Sequence, residues 1–335
     1  MKVWAPSAPW DWWGPSPVRV GTLYEYINEF DICCFSETKS RKGVAINDYT
    51  VFNMDTKPKK SEKHWLPGYH GLQVYISDRI ANKCSAIYNK DFLCKSALWI
   101  NISDQFILGS LYVPCQGSRH HYNDYFEDLA SDIDLIKESL DLPFLLIGDF
   151  NSRTGTLNEI MILESDDNIF DETYFKYRDY IDILKHLNLP VNRISKDKTN
   201  NNNGRALIEL CKCKELCILN GRIGKDKGIG NTTCDDKSVI DYAICTPDLL
   251  SKVSDFQIDK FDPLFSDKHK PINVHLNLAK SFHSKSYTVV NNDDINNSVN
   301  NDNFKSNWDK QNAIILKWIT LMNYQINYVH LTIVK

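Results

Sequence analysis

The chain has 335 residues, 42% of them hydrophobic and 24% charged, a composition typical of a folded globular protein with room for one large domain or two ordinary ones. A net charge of −4 excludes a polycation, so any contact with nucleic acid has to come from a local basic surface. The ten cysteines form no CxxC pair and no zinc spacing, and the start of the chain interleaves Trp4, Trp10, Trp12 and Trp13 with Pro, Asp and Gly rather than presenting a signal peptide. These features predict reduced, mostly buried thiols in an intracellular protein of the nucleus or cytoplasm.

Residues 1–18 show no periodicity and are expected to be irregular. Residues 19–30 carry a helical stripe of Val20, Leu23, Tyr24, Ile27 and Phe30. The apolar run 32–35 predicts a short strand that delivers Ser36 and Glu37 at its end. Residues 44–53 suggest a strand between two basic loops, one with Lys39 and Arg41, the other with Lys57, Lys59 and Lys60. Further strands are expected over 72–77, 92–102 and 105–113, the last stopped by Pro114 just after Tyr112. Phe126, Leu129, Ile133, Ile136 and Leu140 mark an amphipathic helix over 123–140.

Residues 156–203 predict two helices and a loose, Asn-rich loop, followed by a helix over 206–215 and a strand over 216–219 that ends at Asn220. Gly221, Gly224, Gly228 and Gly230 then mark a turn-rich loop without the strand and helix that would frame a dinucleotide site. Strands are expected over 239–245, 256–261 and 272–278. Residues 281–310 have the composition of a polar linker, and 311–335 predict a C-terminal helix; the apolar stretch 313–334 is broken by Lys317, Asn323, Gln325, Asn327 and His330, so it predicts no membrane span. Strands outnumber helices, which implies an α/β (α+β) sandwich of two mixed sheets packed face to face with helices outside.

The stretch around residue 147 organises the chain. Phe144–Ile147 is a continuous apolar run, expected of a strand buried on both faces, and it ends in Gly148. Asp149 and Asn151 follow two apart, so a carboxylate and a carboxamide leave the strand on the same side. Other polar groups at strand ends are Glu37, Tyr112, Asp241, Asp267 and His269. Several carboxylates with one His suit a hard cation and phosphoester cleavage: the cation offsets phosphate charge, and a base activates water. Asp241, an acid within an apolar strand, needs a partner.

Five of these segments, Ser36-Glu37, Tyr112-Val-Pro114, Gly148-Asp-Phe-Asn151, Ser238-Val-Ile-Asp241 and Ser266-Asp-Lys-His-Lys-Pro-Ile272, resemble in order the motifs of the endonuclease/exonuclease/phosphatase family, over about residues 19–278. Tyr-x-Pro-x-x-Gly-Ser at 112–118, Gly-Asp-Phe-Asn-x-Arg-Thr-Gly at 148–155 and Leu-Asn-Gly-Arg-x-Gly at 219–224 look most like its non-LTR retrotransposon endonucleases. The resemblance implies an Mg2+-dependent phosphodiesterase, with Mn2+ as the alternative metal, that nicks DNA. It also implies membership of a larger polyprotein with a reverse transcriptase. Glu37 and Asp267 would stand at the metal. His269 paired with Asp241 would face the scissile phosphate, Asp149 would activate water, Asn151 would hold the phosphate and Tyr112 would contact the developing charge. Lys39, Arg41, Arg119 and Asn220 would touch phosphate or nucleic acid.

The sequence departs from the family pattern in two places. Met1–Val20 shows no Asn-bearing first strand, which predicts a gap in a central sheet and weak activity. Lys268 separates Asp267 from His269, where the common spelling is Ser-Asp-His. Two other readings stay open: a phosphatase of the same fold acting on nucleotide or lipid phosphates, and a catalytically impaired remnant that binds nucleic acid.

Overall fold

The computed structural model describes residues 2–4, 27–36, 46–54, 71–160, 172–262, 268–278 and 327–334. The strands are β1 (Lys2–Trp4), β2 (Ile32–Ser36), β3 (Tyr49–Met54), β4 (Leu72–Ser77), β5 (Cys84–Ala86), β6 (Ala97–Ile102), β7 (Phe106–Tyr112), β8 (Phe144–Asp149), β9 (Cys217–Ile218), β10 (Asp241–Cys245), β11 (Val253–Ile258), β12 (Ile272–Asn277) and β13 (Asn327–Val334). The helices are α1 (Asp78–Ala81), α2 (Tyr125–Ser139), α3 (Glu172–His186), α4 (Asn202–Cys213) and α5 (Pro247–Leu250).

Two sheets form. One runs β11-β12-β1-β13-β2-β4-β3, the other β5-β6-β7-β8-β10-β9. Both are mixed: β12 and β13 are parallel, as are β7 and β8, and the other pairings are antiparallel. The strict two-residue alternation of a strand explains the continuous apolar runs. On β8, Leu145 and Ile147 join Ile32, Val74 and Ile76 of the first sheet and Leu108 and Ala243 of the second in one core between the sheets. Their neighbours Phe144 and Leu146 face the other way, against Phe126, Leu129 and Ile133 of α2 and Leu207 and Cys211 of α4. Helices thus cover the outer face of the second sheet. Gly148 continues β8 at φ +152°, and a Cβ there would stand 1.9 Å from the Leu111 carbonyl oxygen, so the close approach of β7 requires glycine.

Several expectations need correction. Residues 92–94 are irregular and 95–96 a turn, and the strand begins at Ala97. The strand expected over 256–261 starts earlier, at Val253, with a bulge between Val253 and Asp255 that brings Phe256 into the core. Lys2–Trp4 is a strand, although the N-terminal segment showed no periodicity, and Asn327–Val334 is a strand where a helix was expected. The physical reason is pairing. Residues 329–333 alternate apolar and polar, Val-His-Leu-Thr-Ile, and β2 and β12 would otherwise carry open edges in the middle of the sheet. β13 pairs with both, and β1 pairs with β12 and β13, so the central gap expected from the sequence is filled. The stripe at 19–30 lies outside the described residues except for 27–30, as do residues 281–310. Among the described residues, no helix is long and apolar enough to cross a membrane.

The glycine-rich loop after β9 is held by buried charge. Arg222 is 0% exposed; it is ion-paired with Glu159 and donates to the carbonyls of Pro190, Val191 and Ile218. Arg193 lies 3.5 Å from the other Glu159 oxygen.

Candidate active site

The stripes that fill the space between the sheets end on polar groups. On β7 the inward series Leu108, Ser110 ends at Tyr112; on β8 Leu145, Ile147 ends at Asp149; on β10 Cys245, Ala243 ends at Asp241. The registers align all three: Tyr112 pairs with Asp149 across the parallel ladder, and Asp241 pairs with Asp149 across the antiparallel one. Cross-strand partners share a face, so two carboxylates and a tyrosine stand in one row at the rim of the sandwich.

Asp149 is 2% exposed and Asp241 0%, so each needs compensation. Asp149 accepts the backbone N–H of Asn151 at 2.8 Å and the Asn151 carboxamide at 3.0 Å. The same Nδ2 donates to the Val113 carbonyl at 2.9 Å. Both amide hydrogens of Asn151 are therefore spent, and in this arrangement its side chain aims Asp149; a bond to phosphate would have to replace one of these two.

Asp241 places both oxygens 3.0 Å from Nδ1 of His269. A short pairing of loops brings His269 there. Cys234 bridges His269, Lys270 N–H donates to the Thr233 carbonyl at 2.7 Å, and Asp235 N–H donates to the Lys268 carbonyl at 2.9 Å. As a result Lys268 is exposed and His269 is buried. Burial alone would push the imidazole down. The Asp241 carboxylate outweighs it, helped by hydrogen bonds to Asp241 and Cys234 and by the charge of Asp149, and holds the ring well above its ordinary 6.5. The Thr233 hydroxyl accepts the N–H groups of Ile240 and Asp241 and fixes the start of β10. Nothing in the sequence singled out Thr233 or Cys234, because each acts through a loop that only the fold brings to the site.

Asp149, Asp241 and His269 each bring a polar atom within 4.8 Å of the others, and with His269 protonated on both ring nitrogens the two carboxylates are the groups left to hold a metal. Two carboxylates and one imidazolium leave this buried cluster one negative charge in excess, and a carboxylate oxygen that accepts one hydrogen bond keeps a lone pair. The donor set therefore fits a divalent cation.

Glu37, which directly follows β2, and Lys39, Arg41 and Asp267 lie outside the described residues. Arg119 is exposed on the turn after β7, where its Nε donates to His120 at 3.0 Å. Asn220 is 2% exposed, donates to the Asp241 carbonyl at 3.0 Å and accepts Ala243 N–H at 3.2 Å. Its carboxamide extends the β10 ladder, and a bond to nucleic acid would have to replace one of these two.

A model of the Endonuclease/Exonuclease/phosphatase family matches residues 13–267. The chain belongs to this family. Its members are typically hydrolytic nucleases or phosphatases and generally depend on a divalent metal. No curated protein matches the chain in sequence. Among solved structures, the endonuclease domain of TRAS1, a telomere-specific non-LTR retrotransposon, is 12% identical, with 81% of this chain and 95% of that chain covered and a TM-score of 0.43. The AP endonuclease LMAP from Leishmania major is 9% identical over 80% of this chain and 86% of its own, with a TM-score of 0.48. The 3'-5' exonuclease NExo from Neisseria meningitidis is 11% identical over 76% of this chain and 92% of its own, with a TM-score of 0.46.

Proposed function

We propose that this member of the family is an Mg2+-dependent DNA endonuclease of the non-LTR retrotransposon type, with Mn2+ able to substitute. The observation that carries the reading is the aligned row of Asp149 and Asp241, with Asn151 on the first and His269 on the second. A phosphodiester needs a base for water, positive charge on the phosphate, and a cation; this row supplies the first two and fits the third. The retrotransposon assignment rests on the three sequence motifs at 112–118, 148–155 and 219–224, and such an origin would set the chain beside a reverse transcriptase in a longer polyprotein.

Asp149 takes the proton of the attacking water, with its two oxygens oriented by Asn151. His269, kept protonated by Asp241, offers positive charge to the scissile phosphate. Tyr112, next in the row, contacts the charge that develops there. Glu37 and Asp267, with Asp149, would hold the divalent cation, which when bound neutralises phosphate charge. Water attacks phosphorus in line, and the opposite P–O bond breaks. Lys39, Arg41 and Arg119 supply contacts to the DNA backbone.

Nicking of supercoiled plasmid, with Mg2+ and with EDTA, tests this. The parent converts supercoiled to open-circular DNA only with metal. Asp149→Asn lowers the rate by about 10²- to 10⁴-fold, the usual range for a lost acid–base group; His269→Ala and Glu37→Ala, which remove positive charge at the phosphate and a metal contact, each lower it by about 10²- to 10³-fold. Cleavage that survives both His269→Ala and Glu37→Ala overturns the mechanism. Release of phosphate from phosphomonoesters without nicking replaces the DNA reading with a phosphatase.

A further inference from the structure

The ladder between β8 and β10 ends with the bond from Phe150 N–H to the Ile240 carbonyl. Asn151, which aims the proposed base, stands beyond that last rung at φ +43°, a left-handed conformation that a ladder cannot impose. Its bonds to Asp149 and the Val113 carbonyl fix its side chain, and the chain that leaves it is held from outside the ladder.

The segment 197–204, polar and Asn-rich, holds that chain. Asp197 is 2% exposed and receives the Arg153 guanidinium in a two-pronged pair, Nε to Oδ2 at 2.8 Å and Nη2 to Oδ1 at 2.6 Å. The same carboxylate accepts the backbone N–H of Thr199 at 2.9 Å and of Val239 at 3.1 Å. One buried acid thus grips the chain two residues after Asn151 and two residues before Asp241. Asn201 adds a second grip. Its Oδ1 accepts Arg153 N–H at 3.0 Å and Gly204 N–H at 2.7 Å, its backbone N–H donates to the Arg153 carbonyl at 2.9 Å, and its Nδ2 donates to the Asn151 carbonyl at 3.3 Å. Asn201 is also the N-cap of α4, and a Cβ at Gly204 would stand 1.9 Å from the Arg153 carbonyl oxygen, so the helix start abuts the loop directly. None of these groups belongs to the reacting cluster.

We propose that Asp197, with Arg153 and Asn201, is a positioning residue: it brackets the exit of β8 to the approach of β10 and so sets how Asn151 presents Asp149 relative to the Asp241–His269 pair. The inference rests on the proposed phosphodiester cleavage for its kinetic consequence, but the bracket itself is testable without it.

The test uses the full chain with Asp197→Ala, Arg153→Ala, Arg153→Lys and the double Arg153→Ala/Asp197→Ala, each scaled to its folded fraction. In plasmid nicking, Asp197→Ala lowers kcat about 10- to 100-fold, the scale for a group that orients a reactive one, with KM for DNA little changed. Arg153→Lys, which keeps the charge and loses the fork, falls between parent and Arg153→Ala. The double variant is no worse than Asp197→Ala, because both act through one bracket. Amide hydrogen exchange gives the independent readout: Asp197→Ala speeds exchange over 150–154 and 239–241 while β6 and β7 keep the parent's protection. If the parent does not cleave but exchange rises in these two segments alone, the bracket stands and the endonuclease reading fails. Unchanged exchange there, or risen exchange with kcat within twofold of an active parent, overturns the proposal.

Discussion

Asp149 and Asp241 stand directly opposite one another on antiparallel β8 and β10, on the face turned toward the first sheet, and neither is more than 2% exposed. Like charges facing across a ladder repel, and burial increases the cost. The His269 imidazolium offsets one of them. In the proposed function the pair trades stability for affinity toward a cation, and this trade is measurable.

In chelator, Asp149→Asn removes the repulsion, worth roughly 0.5–1 kcal/mol, but turns one of the two oxygens that accept from Asn151 into a donor and loses that bond, worth about 0.5–1.5 kcal/mol, so its Tm stays within about 4 °C of the parent's. Added Mg2+ separates the two. The parent gains about 2.7 kcal/mol at a metal concentration a hundred times its Kd, and the variant gains less. Differential scanning calorimetry with EDTA and with Mg2+ reads both; a parent whose Tm ignores metal contradicts the prediction.

Gly148→Ala places a methyl 1.9 Å from the Leu111 carbonyl oxygen at φ +152°. Either β7 and β8 separate or the backbone twists away, at a cost of about 1–3 kcal/mol or more. Urea unfolding measures the loss, and a midpoint equal to the parent's refutes it. Activity falls as well, since Asp149 is the next residue.

The Glu159–Arg222–Arg193 cluster predicts a pH dependence. Burial would raise the Glu159 carboxyl, but the charges of Arg222 and Arg193 outweigh this and hold it below its ordinary 4.5. A depressed carboxylate contributes stability that is fully present above the unfolded value and is lost as pH falls through the folded one. Glu159→Gln leaves two buried guanidinium groups without a counter-charge and costs about 3–5 kcal/mol at pH 7. The gap between parent and variant stays constant down to about pH 5.5 and narrows below 4.5, where the unfolded parent takes up the proton while the folded one does not. Chemical denaturation across this range checks it; a gap that widens toward acid has the wrong sign.

Asn220→Ala separates the ladder role from a nucleic-acid role. The substitution leaves the Asp241 carbonyl and the Ala243 N–H without their side-chain partner, a loss of about 1–3 kcal/mol. Affinity for duplex DNA, measured by anisotropy on the folded fraction, stays within twofold. A drop in affinity at unchanged stability would return Asn220 to the nucleic-acid surface.

The sequence alone determined the strands whose patterns are local and the order of the motifs on them. β4 and β8 begin and end close to where their apolar runs do, and α2 follows its stripe, because burial on one or two faces writes a period into the chain. The pairing of His269 with Asp241 was legible too, although only through the resemblance and across the extra Lys268. What the sequence could not show is whatever depends on partners distant in the chain. Asn201 to Gly204 resemble a loose loop in composition, yet they form a helix cap pressed against Arg153. Asn220 reads as a polar group at a strand end, a candidate phosphate or nucleic-acid contact, and in the fold its carboxamide is bonded to β10. The strand at Asn327–Val334 exists because β2 and β12 leave edges for it. Periodicity records which face of an element is buried; which atoms satisfy a buried amide, carboxylate or open strand edge is decided only when the chain closes on itself, since those hydrogen bonds join residues with no shared pattern in sequence.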